Sequence, residues 1–95
     1  MRKYELMMIV DPTVSDDERA TLLSEVKAEL TTHGASSLTE DVWGVKKLAY
    51  KINGSENGFY VLFNFEADGR NFKTISADFN LRKGIWRYMF VRIDE

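Results

Sequence analysis

Residues 43–67 read WGVKKLAYKINGSENGFYVLFNFEA, and this stretch decides the fold. Its second half alternates. Phe59, Val61, Phe63 and Phe65 share one side of an extended chain, while Tyr60, Leu62 and Asn64 share the other. Successive side chains of a strand point to opposite faces, so a strand with one buried face is expected over 59–67. Asn53-Gly54 and Asn57-Gly58 bracket the connection before it, with residue types that favour hairpin turns. Ahead of that connection a long strand is expected over 36–52. Trp43-Gly44 falls in its middle, and a glycine inside a strand marks a bulge or bend, so the strand should kink there.

Working outward, RKYELMMIV at 2–10 alternates in the same way, with Tyr4, Leu6, Met8 and Val10 opposite Lys3, Glu5, Met7 and Ile9. Asp11-Pro12 ends that strand. Ser15, with Glu18 three residues on, forms a capping-box pattern, and Asp16 and Asp17 suit the positive end of a helix dipole. Ala20, Leu23, Val26, Lys27 and Leu30 then make a helical stripe with Lys27 its one polar member, and Gly34 is a left-handed stop. A second helix is expected over 71–82, where Phe72, Ile75 and Phe79 recur at helical spacing before Lys83-Gly84. IWRYMFVRI at 85–93 is the last strand. The order strand–helix–strand–strand–helix–strand, joined by right-handed crossovers, predicts an α+β, ferredoxin-like βαββαβ domain. Its four-stranded antiparallel sheet would carry both helices on one face. The other sheet face is left open, lined by Met7, Ile9, Tyr60, Leu62, Met89 and Val91, with Lys3 and Arg87 at its margins. So apolar an open face calls for a partner.

Composition bounds what this domain can do. Ninety-five residues, 44% of them hydrophobic, supply one core, so residues 1–95 are expected to form a single domain. No cysteine means no disulfide, no thiol nucleophile and no Cys-ligated metal. No apolar run approaches the ~18–20 residues that span a bilayer, so no signal peptide or membrane anchor is expected. Thirteen bases against fifteen acids argue, as a sum, against a polyanionic partner. The charges are segregated, however. Residues 1–41 carry four bases and nine acids, residues 42–93 carry nine bases and four acids, and Asp94 and Glu95 close the chain. Screening over roughly 8–10 Å makes a polyanion respond to a local face rather than to the molecular sum.

Catalytic readings are poorly supported. His33 is the only histidine and falls at a helix end, where it caps carbonyls or meets solvent. Asp16-Asp17-Glu18 is a helix start rather than a metal site, and there is no G-x-S-x-G, Walker-type or G-x-G-x-x-G loop. No catalytic residue, metal or cofactor is expected. The run NGFYVLF at 57–63 faintly echoes the aromatic strand motif of RNA-recognition modules, but Asn57 and Tyr60 depart from it, and Phe59 and Phe63 face the helices. Basic clusters carry more weight. Lys46-Lys47 lies beside the expected kink with Lys51 close by, and Arg82-Lys83 leads from a helix end toward Arg87. Bases at the ends of elements are common phosphate contacts. Much of Trp43, Trp86, Phe72 and Phe79 is assigned to packing rather than function. Two further readings stand beside an RNA scaffold. One is a small-molecule-sensing or dimeric metabolic ferredoxin-like domain, and the other a free-standing RNA-recognition module.

MRKYE at 1–5, WGVKKLAYKI at 43–52 and WRYMFVRIDE at 86–95 resemble the bacterial small-subunit ribosomal protein six family, in the right order along nearly the whole chain. The middle motif is the specific one. Val45 and Lys51 depart from the family pattern, which commonly has a basic residue and a proline there. The resemblance implies a cytoplasmic, non-catalytic constituent of the small ribosomal subunit. It implies binding to small-subunit ribosomal RNA in the central domain (platform) as a heterodimer with small-subunit ribosomal protein eighteen, a small basic protein. By motif, Arg2, Lys46, Lys47 and Tyr50 match the family's basic and aromatic positions, and Arg87 and Arg92 match its C-terminal strand. With Arg82 and Lys83 these are the expected RNA contacts, and the open-face residues are the expected partner contacts. Alone, the chain should be a monomer with weak RNA affinity.

Overall fold

Strand β1 (Arg2–Val10) buries Leu6, Met8 and Val10 and leaves Met7 and Ile9 half-covered on its other face, as its alternation requires. In this computed structural model the described residues are 2–93, so the acidic pair Asp94 and Glu95 lies outside them. Helix α1 (Asp16–Thr32) follows, capped by the Ser15 hydroxyl, which accepts a hydrogen bond from the Glu18 amide at 3.1 Å. Leu23, Val26 and Leu30 form its buried stripe, whereas Ala20 is exposed. Lys27 has a partner: its ammonium lies 3.4 Å from the Glu40 carboxylate and ties α1 to β2. Gly34 at φ +98° turns the chain into β2 (Ser36–Ile52), then come β3 (Ser55–Ala67), α2 (Phe72–Asn80) and β4 (Ile85–Arg92). Helix α2 is shorter than its pattern suggested. Leu81 and Arg82 form a turn in which the Arg82 amide donates to the Phe79 carbonyl.

The four strands are antiparallel in the order β2-β3-β1-β4, which is the ferredoxin-like arrangement, and β1 and β3 occupy the centre. On the helix side, Phe59, Val61, Phe63, Phe65 and Ala67 of β3 meet Leu6, Met8 and Val10 of β1 and the stripes of α1 and α2 in one core. Leu6, Met8, Phe63 and Phe79 are wholly buried, each contributing about 1.5–3 kcal/mol of apolar transfer. Phe72 stacks on Phe90 at 4.4 Å and so seals the margin of this core where α2 crosses β4.

Two features of the β2–β3 hairpin were only half legible. The expected kink is present. Val42 pairs with Val61 and Gly44 with Tyr60, so Trp43 is an extra residue in a bulge, with Gly44 at φ +85°. The turn, by contrast, is tighter than expected. It consists of Asn53 and Gly54 alone, both at positive φ, and Ile52 pairs directly with Ser55. Asn57-Gly58 therefore belongs to β3 rather than to the loop. Between the pairs Lys47–Asn57 and Ile52–Ser55, the four residues 48–51 of β2 face only Glu56. This second, larger bulge carries Leu48 back across the open face of the sheet, where Leu48 and Ile52 are buried outside the main core.

Gly58 makes that return possible. A Cβ at position 58 would stand 2.5 Å from Ile9 Cγ2 and 3.1 Å from Leu48 Cδ2. Ile9 is β-branched and stiff, so it cannot simply turn aside. Gly58→Ala should therefore destabilise the chain by about 1–3 kcal/mol, read as a lower denaturant midpoint. An unchanged midpoint would show that the hairpin tip is not held by this contact.

Candidate nucleic-acid and partner interfaces

The bulge at residues 48–51 turns Leu48 inward and pushes its neighbours outward. Tyr50 is 81% exposed, and Lys46, Lys47 and Lys51 are exposed around it. Lys46 stands opposite Gly58 on the open side of the sheet and Lys47 opposite Asn57 on the other side, so the tip offers ammonium groups in two directions. Arg87 of β4, opposite Ile9, completes the group. It borders a groove of about 260 Å³ whose other walls are Ile9, Tyr60, Leu48 and Tyr50. Its guanidinium donates to the Trp86 carbonyl at 2.7 Å, which holds it near the strand. Free cations beside an exposed aromatic ring can neutralise phosphates and stack on an unpaired base. Lys51 was not among the expected contacts. Its place beside Lys46-Lys47 was the available signal, and the bulge is what brings it to the tip.

The remaining expected RNA contacts do not join this group. Arg2 pairs with Ala67 and Arg92 with Tyr4 at the far end of the sheet, about 26 Å away along a nine-residue strand. Arg82 is engaged within the fold. Its Nη1 lies 2.6 Å from Glu25 of α1 and its Nε 3.2 Å from Asp78 of α2, so its guanidinium braces one helix against the other. Adjacent in sequence, Lys83 is exposed but stands beside acidic residues of α1. His33 is also occupied by the fold, with Nε2 3.2 Å from Glu29 and its carbonyl accepting from Asn71 at 3.2 Å. Among the described residues, no three His, Cys, Asp or Glu are grouped so as to hold a metal ion.

The open face carries the six expected apolar residues on three adjacent strands. Met7 pairs with Leu62 and Met89, and Ile9 with Tyr60 and Arg87. Met89 is 59% exposed and Val91 also exposed, while Met7, Ile9, Tyr60 and Leu62 are half-buried. Trp43 belongs here too, packed on the open face and outside the main core. The bulge places its indole parallel to the Tyr60 ring at 6.5 Å, with Nε1 donating to Asp41 at 3.0 Å, and 42% of it remains exposed. Tyr60 is half-buried beside this indole. Trp86 is half-buried.

Residues 3–92 match the family model described as "Ribosomal protein S6". The chain is 42% identical over 94 residues to the small ribosomal subunit protein bS6 of Fusobacterium nucleatum, covering 99% of this chain and all of that protein. It is 36% identical over 95 residues to the bS6 of Thermoanaerobacter pseudethanolicus, at full coverage of both. The crystal structure of 30S ribosomal protein S6 from Thermotoga maritima superposes with a TM-score of 0.87 at 27% identity, over 97% of this chain and 87% of that one. A Bacillus subtilis GlnK–ATP complex shares the fold alone, with a TM-score of 0.50 at 11% identity. Matched over nearly its whole length in sequence and in backbone, the chain belongs to the ribosomal protein S6 family, non-catalytic proteins of the small ribosomal subunit in the cytoplasm.

Proposed function

We propose that this chain binds small-subunit ribosomal RNA in the central domain, or platform, together with small-subunit ribosomal protein eighteen, and so aids assembly of the subunit. The observation that carries the RNA half is the convergence of Lys46, Lys47, Tyr50 and Arg87 at one end of the sheet, where a bulge leaves the lysines and the ring exposed. The partner half rests on the open face, where Met89, Val91, Leu62 and the Trp43–Tyr60 stack form a continuous apolar surface. A basic partner seated there adds positive charge beside the hairpin tip. By itself the tip presents only a few cations on a chain of net charge −2, so the isolated monomer binds RNA weakly.

Three variants separate these roles. Lys46→Glu with Lys47→Glu, assayed with the partner present, should weaken RNA binding and lower the slope of log affinity against log salt by about two, since each phosphate contact contributes about 0.9. An unchanged slope would remove the hairpin tip from the RNA contact. Arg82→Gln should do the converse, leaving the slope alone while lowering unfolding stability by about 1 kcal/mol through the lost interhelical ion pairs. A slope that falls for Arg82→Gln would return that residue to the RNA contact. Met89→Asp should prevent co-purification with the partner without shifting the thermal midpoint, because this side chain already meets solvent. Retained co-purification would place the partner elsewhere.

A further inference from the structure

On the helix side of the sheet, the first turns of α1 and the segment entering β4 enclose a groove of about 520 Å³ that the RNA and partner surfaces do not use. Its floor is apolar, made of half-buried Val14 and Leu22 and the bare backbone of Gly84. A Cβ at position 84 would come within 3.0 Å of Leu22 Cδ2, so any larger residue would crowd this floor. The rim carries Asp11, Asp17, Glu18 and Glu25 against the single base Lys83. Asp11 is occupied by Thr13, whose amide and hydroxyl donate to it at 2.8 and 2.7 Å, and Glu25 holds Arg82. Asp17 and Glu18 are exposed, and among the described residues no cation pairs with their carboxylates.

We propose that this groove docks a short basic segment of a neighbouring protein, with an aliphatic or aromatic residue seated on Val14 and Leu22 and flanking Lys or Arg side chains against Asp17 and Glu18. Charge complementarity selects this occupant. With Glu25 neutralised by Arg82, the carboxylates of Asp11, Asp17 and Glu18 still outnumber the Lys83 ammonium and repel a phosphate backbone, whereas a wholly polar cationic segment would leave the apolar floor wet. Because the groove and the open face lie on opposite sides of the sheet, both can be occupied at once. Lys83 then acts against the occupant, tuning its affinity downward rather than touching RNA.

The test uses the full chain and fluorescence anisotropy with a labelled probe peptide, four arginines flanking a central Leu-Leu pair, beside its Gly-Gly counterpart. The Leu-Leu peptide should bind saturably, shifting the Val14 and Leu22 methyl resonances. Affinity should fall about tenfold in Asp17→Lys with Glu18→Lys, which removes two exposed charge pairs, and rise in Lys83→Glu. The proposal is overturned if the two peptides bind equally, if the charge variants bind as the parent does, or if the shifts fall on Met7 and Leu62. Concentration-dependent sedimentation of the chain without peptide, abolished by Asp17→Lys with Glu18→Lys, would overturn it too, by assigning the groove to a second copy.

Discussion

The close packing of Ile9 and Leu48 around Gly58 is the constraint on which the basic end of this molecule depends. A two-residue turn closes β2 and β3 at Asn53-Gly54, and the register slips by three residues just before it. Such a slip leaves backbone groups unpaired and would normally be unfavourable. Here it is offset by burying Leu48 and Ile52 on the open face, where a glycine leaves room for them. The same displacement turns Tyr50 and the lysines outward. Anchor and exposed basic tip are thus two consequences of one bulge, which fixes the cations to the sheet rather than to a loose loop.

The sheet divides labour between its faces. Toward the helices it is dry and aromatic, with Phe59, Val61, Phe63 and Phe65 of β3 as the spine shared by both neighbouring strands. Toward the open side it is only half-covered, with the hairpin shielding part of the apolar surface and Met89 and Val91 left exposed. Charged residues beside the core are paired across elements, Lys27 with Glu40 and Arg82 with Glu25 and Asp78. Their partners sit on other elements, so these pairs fix how the layers are joined while adding little stability of their own.

Much of this was legible because alternation and helical period are local. The helix face of β3, the Ser15 cap and the Trp43-Gly44 kink all follow from residues within a few positions of each other. Asn57-Gly58 misled because glycine serves two purposes, turning the chain and permitting close approach, and only the neighbours of Gly58 reveal which applies. The sequence leaves the face of Trp43 open for a related reason. A large aromatic is usually core, but an extra residue in a bulge has no register partner to set its face, and stacking on Tyr60 sets it instead. Met7, Ile9, Leu62, Met89 and Val91 were placed correctly, since period two on three strands already implies one shared face.

By itself the sequence determined the order of the elements, the two faces of each strand and the family, all of which reside in short-range pattern or in motif. Tertiary structure decided which bases stay available. Arg82 and Lys83 are neighbours in the chain, yet one is held by a carboxylate 57 positions away and the other is not. The Lys46-Lys47 pair and Arg87 are distant from each other in the chain and converge at one end of the sheet. The physical reason is that Coulombic pairing depends on separation in space, and separation in space is settled only when helices cross and strands register.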